Sequence, residues 1–186
     1  LDRKRLSALL PQTKGHALEP WGAYWELAAR LDEAPASEIQ DFLSRYAGTY
    51  QEDRLRNDWL LMLGQRRDWA TFNAELPKFR MNDDREVSCW WLFTEHLAGR
   101  DVAEQARALW FAQRDVDDGC NLLATALVDA RRLKPDDVWR KARLSIEQQR
   151  PGAAKAAVGM AMLASNWAYA QTPPAPQDQP LQQNNV

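Results

Sequence analysis

Apolar residues recur at steps of three and four through most of the chain, and no stretch of β-branched residues alternates with a period of two. From Pro20 onward Trp21, Tyr24, Trp25, Ala28 and Leu31 share one helical face, with the proline suited to a first turn. Ser37 followed by Gln40 has the pattern of a reciprocal cap, and Ile39, Phe42, Leu43 and Tyr46 continue the stripe until Gly48 stops it. The pattern predicts a third helix from about Tyr50 to Leu63, with Leu55, Trp59, Met62 and Leu63 inward. A short helix from Trp69 to Leu76 follows and ends at Pro77. Further helices are expected from a cap at Asn82 to His96 and from Asp101 with Glu104 to about Gln113. The last two predicted here start after Asp118 and at Pro135. Before Pro11 at most one short helix fits.

The helix ends repeat. Leu63-Gly64-Gln65-Arg66, Leu97-Ala98-Gly99-Arg100 and Ala130-Arg131-Arg132 each close one helix and lead into the next, at intervals of about 32 to 34 residues. That interval is the period of two short antiparallel helices with their turns. One such hairpin cannot bury its apolar face alone, so neighbours must stack, and a constant rotation between them bends the stack. The expected fold is all-α: a superhelical array of degenerate antiparallel helical hairpins, tetratricopeptide-like in period but without that consensus. Residues 1–16 form an N-terminal segment, 17–170 the array, and 171–186 a proline- and glutamine-rich tail expected to be disordered or extended.

The densest run of large apolar residues lies between Asp83 and Ala130, where Cys89 and Cys120 occupy matching places on two predicted helices joined through a third. This stretch is the expected middle of the core. If the two sulfurs are bonded, the unfolded chain loses roughly 3 to 4 kcal/mol of entropy. Two buried thiols in a reducing compartment are the alternative; no zinc spacing is present. With 186 residues, 45% of them hydrophobic, the chain suits one domain or a short repeat array. A net charge of -2 without a basic block argues against nucleic acid and anionic membranes. The alanine-rich stretch from Gly152 to Ala170 is too weakly apolar to insert into a bilayer, and it reads as a buried, closely approached helix pair. The chain opens on Leu1, as expected of a processed or trimmed start.

Little here reads as chemistry. No phosphate-binding glycine loop, nucleophile elbow or metal-ligand cluster occurs, so no catalytic residue, cofactor site or metal site is assigned. His16 and His96 read as surface or capping residues. Asp83-Asp84, Asp117-Asp118 and Asp136-Asp137 each stand where a helix begins, so capping explains them better than glycosidase chemistry. The nine tryptophans could offer flat platforms for sugar rings or partner side chains. Trp25, Trp59, Trp110 and Trp139 nonetheless fall on apolar stripes, where core packing is expected. Trp90 and Trp91 point about 100° apart, so one of them is expected to be partly exposed.

Four local patterns resemble one family. Leu18-Glu19-Pro20-Trp21-Gly22-Ala23-Tyr24-Trp25-Glu26-Leu27 and Arg66-Arg67-Asp68-Trp69 are similar to segments of the superhelical domain of soluble lytic murein transglycosylases. Cys89-Trp90-Trp91 and Gly119-Cys120-Asn121-Leu122-Leu123 resemble two positions whose cysteines form a disulfide in that family. The resemblance spans roughly Ala17 to Ala164. It implies a Cys89–Cys120 disulfide and a periplasmic location. It also implies a parent enzyme that cleaves peptidoglycan glycan strands between N-acetylmuramic acid and N-acetylglucosamine, leaving a 1,6-anhydro end. The family's catalytic Glu-Ser belongs to a lysozyme-like domain and does not occur in this chain. The expected role is therefore a non-catalytic scaffold that holds the catalytic domain in cis and guides glycan strands. The alternative is a free-standing tetratricopeptide-like adaptor for a protein or peptide.

Overall fold

The structure is a computed structural model, which describes residues 3–169; the predicted proline-rich tail lies outside them. Ten α-helices follow one another: α1 (Arg3–Leu9), α2 (Glu19–Ala28), α3 (Ala36–Arg45), α4 (Tyr50–Arg66) and α5 (Trp69–Glu75), then α6 (Arg85–Leu97), α7 (Ala103–Ala112), α8 (Asp118–Asp129), α9 (Pro135–Glu147) and α10 (Pro151–Tyr169). Short 3-10 turns follow α1 and α5. There is no strand among the described residues.

The expected repeat is present in the spacing of the helices. First helices begin at Glu19, Tyr50, Arg85, Asp118 and Pro151, at steps of 31, 35, 33 and 33 residues; second helices begin at Ala36, Trp69, Ala103 and Pro135, at steps of 33, 34 and 32. The first helices stack in chain order, α2 on α4, α4 on α6, α6 on α8 and α8 on α10. Each buries on its neighbour an apolar face that it could not bury alone.

Local chemistry sets these boundaries. Thr49, Asp68, Asp84 and Asp117 each accept a hydrogen bond from a backbone N–H in the first turn of the helix they precede. The three repeated sequence endings are one motif. In α4 the N–H of Asp68 donates to the Leu63 carbonyl and that of Arg67 to Gly64. Arg100 and Gly99 close α6 in the same way, and Arg132 and Arg131 close α8. Arg67, Gly99 and Arg131 all adopt positive φ, the left-handed turn that lets the last carbonyls find donors. Arg150 and Gln149 repeat it after α9.

Three predicted caps differ. α3 begins one residue before Ser37, at Ala36, with Pro35 in the cap position and no side-chain cap, so Ser37 lies inside the helix. Asp84 rather than Asn82 caps α6, because Asn82 turns the chain at φ 45° two residues earlier. Val102 rather than Asp101 precedes α7, although Asp101 still accepts from the Ala103 N–H.

The core has two lobes. Leu27, Ile39, Phe42, Leu55, Trp59, Phe72 and Trp90 fill one; Cys89, Leu92, Phe93, Trp110, Cys120, Leu123, Leu127 and Val138 belong to the other. Trp69 packs against both, its ring 5.9 Å from Trp90 and 5.5 Å from Phe93. The stretch around α6 thus supplies both lobes, since Trp90 faces one and Cys89 the other. The alanine-rich segment is one continuous helix, α10, rather than two; its close partner is α9, and Ala153, Ala154 and Ala157 are buried. No helix among the described residues is long and apolar enough to cross a membrane.

Candidate functional site

Cys89 of α6 and Cys120 of α8 are joined in a disulfide with their Cα atoms 4.9 Å apart. Such an approach needs a small residue where the helices meet. Gly119 is that residue: a β-carbon there would stand 2.9 Å from the Glu86 carbonyl oxygen, and the Gly119 N–H donates to Glu86 Oε1 at 3.2 Å. Burial pushes the Glu86 carboxyl above its ordinary value.

A polar hub sits beside this bond. Asp117 accepts from the Cys120 N–H at 2.8 Å and from Gln113 Nε2 at 2.9 Å, and Arg85 lies 3.4 Å away. Lys141 of α9 reaches in and donates from Nζ to the Gln113 carbonyl at 2.7 Å. Only 2% of Lys141 is exposed, and burial pushes its ammonium down to about 8, with Arg85 adding to the shift and Asp117 opposing it. The hub ties α7, α8 and α9 to α6, which is a structural task.

On another side of the seam lies a cleft of about 310 Å³ lined by Gln65, Arg67, Trp90, Asp118, Asn121, Leu122 and Thr125. Its walls are the end of α4 and the start of α8, which touch each other past α6. Trp90 is 3% exposed, and its indole N–H is buried without a hydrogen-bond acceptor.

The tryptophans divide as geometry allows. Trp59, Trp90 and Trp110 are buried, while Trp91 is 39% exposed, so the adjacent pair splits as its angular offset requires. Trp25 and Trp139 depart from the core expectation at 46% and 42% exposure. Trp25 packs at a tilt against Trp21, whose ring is 5.6 Å from both Trp25 and Tyr50. Trp91 forms part of a second cleft of about 310 Å³ with Leu76, Pro77, Phe79, Asn82 and Ser88.

The paired aspartates serve helix starts. Asp84 and Asp117 cap α6 and α8, and Asp137 accepts from the Lys134 N–H before α9. His16 Nδ1 accepts from the Leu18 N–H, and His96 stands in the last turn of α6. Among the described residues no group of three histidine, cysteine or acidic side chains could hold a metal ion.

Sequence pattern missed a buried charge cluster on α4. Arg56 bonds Glu52 at 2.6 Å and Glu75 of α5, and all three are almost wholly buried. Arg80 and Lys78 reach the same two carboxylates from the surface. An i,i+4 Glu-Arg pair ordinarily marks a solvated face, so nothing local signals its burial. No protein-family model matches this chain, and no curated protein matches it in sequence.

Proposed function

We propose that this chain is the non-catalytic superhelical scaffold of a periplasmic lytic transglycosylase, holding a lysozyme-like catalytic domain in cis and contacting the glycan strands it cleaves. The Cys89–Cys120 bond carries the reading. It joins the two cysteines singled out by resemblance to that family, on corresponding helices of successive hairpins. A buried disulfide of this kind suits an oxidising compartment such as the periplasm. The stacked hairpins provide a stiff frame whose large surface is available for a polymer or a second domain. The same helix-end motif recurs at the ends of α4, α6, α8 and α9.

The test is product analysis. The full-length gene product, incubated with purified peptidoglycan, is expected to release fragments bearing 1,6-anhydro ends, as read by mass spectrometry. Release of reducing ends only, or no release, overturns the reading. Two free thiols in native material, together with no lysozyme-like segment after Val186 in the gene, would point instead to a peptide-binding adaptor.

A further inference from the structure

The cleft over Trp90 has an unusual lining. Gln65, Arg67, Asp118 and Asn121 surround it, and none of these four side chains makes a hydrogen bond or ion pair within the described residues. All four are planar polar groups, with donors and acceptors both present and their two charges opposite in sign. At the base lies the Trp90 indole, whose pyrrole ring packs against glycines of both walls. A β-carbon on Gly64 would stand 2.6 Å from Trp90 Nε1, and one on Gly119 3.0 Å from Trp90 Cε2. Gly64 and Gly119 immediately precede Gln65 and follow Asp118, which line the cleft. The ring carrying the unpartnered N–H therefore lies between the elements that form the site. A buried donor in that position calls for an acceptor oxygen.

We propose that this cleft binds one ring of a neutral sugar chain. A sugar presents many hydroxyl donors and acceptors over a small footprint, which matches unpartnered amide, carboxylate and guanidinium groups around about 310 Å³. Opposite charges at Arg67 and Asp118 leave no net preference for an ion. A peptide side chain would meet only one aliphatic wall residue, Leu122. The inference extends the scaffold reading by placing a sugar contact on the scaffold, and its test is independent of catalysis.

The disulfide-intact chain, labelled with nitrogen-15, is titrated with chitotetraose and, separately, with cellotetraose. NMR signals of the Trp90 indole N–H and the Gln65 and Asn121 side-chain amides are expected to shift saturably with at least one of them. Trp90→Phe identifies the indole signal. Asn121→Ala and Gln65→Ala, at the rim, leave the fold intact and are each expected to weaken binding about tenfold, the loss of one good hydrogen bond. Three results overturn the proposal: no shift at saturating sugar, shifts confined to the indoles of Trp25, Trp91 or Trp139, or equal shifts with an uncharged tetrapeptide. A cleft that takes no sugar leaves the anhydro-product assay unaffected. Conversely, failure of that assay leaves the titration standing.

Discussion

Gly64 of α4 lies so close to Trp90 of α6 that a β-carbon on it would stand 2.5 Å from the indole Cδ1. Glycine inside a helix ordinarily costs about 0.5–1 kcal/mol relative to alanine, so Gly→Ala usually stabilises. Here the sign is expected to reverse. Trp90 is held between Gly64 and Gly119 and has nowhere to retreat, and overpacking a rigid core costs about 1–3 kcal/mol. Gly159, within α10 with nothing within 4 Å of its would-be β-carbon, is the control. Urea unfolding is expected to show Gly64→Ala destabilised and Gly159→Ala stabilised. Equal shifts of one sign would contradict the close approach.

The disulfide predicts a second measurement. Its half-cystines are 31 residues apart, a loop for which chain entropy gives about 3 to 4 kcal/mol. Both residues are 1% exposed or less, so reductant is expected to act on the native protein only through unfolding. Thiol titration should find none free in the folded state and two after denaturation with reductant. The Cys89→Ala/Cys120→Ala variant should unfold at lower urea by that free energy. A midpoint unchanged from the oxidised protein would remove the bond from the account of stability.

The helices and their period are legible in sequence because their signals are local. Helix ends at Gly99 and Arg131 and caps at Asp84 and Asp117 each act within one turn. Exposure is not local. Trp25 and Trp59 sit on equally apolar stripes, yet only Trp59 has core on every side. What covers an indole is a neighbouring helix, and no residue on the indole's own helix encodes that. The cleft is invisible for the same reason: Gln65 and Arg67 end one hairpin's first helix, Asp118 and Asn121 open a helix two units later, and stacking alone joins them.

Arg56 tests the buried charges. Replacing it by Met leaves Glu52 and Glu75 buried with only the surface cations Arg80 and Lys78 beside them, at a cost of about 3–5 kcal/mol. Removing one carboxylate as well, in Arg56→Met/Glu75→Leu, is expected to recover part of the loss. Burial pushes the Glu52 carboxyl up, but bonds from Arg56, Arg80 and the Gly48 N–H outweigh it and hold the group below 4.5. Glu52 therefore stabilises the fold above that pH, and its contribution fades as the pH falls through its lowered folded value. Urea midpoints of the three proteins at neutral pH, with the double variant below the single, would refute the coupling.

Lys141 makes the last prediction, and its sign follows from its burial. The folded ammonium is pushed down to about 8 while the unfolded chain keeps the ordinary 10.5, so between these values the unfolded state holds more protons. Stability then rises with pH across that window, the reverse of a lysine that gains a partner. Asp117 and Arg85 face the same amine, the one raising and the other lowering its proton affinity. Tyr24, pushed up to about 12 by burial and by its bond to Asp58, pulls the other way only above about pH 10. Lys141→Met removes both the titration and the bond to the Gln113 carbonyl. The stability advantage of the native protein over this variant, from urea unfolding at pH 7.5 and at pH 9.5, is expected to be larger at the higher pH. A constant difference would show that the amine titrates as it does in water.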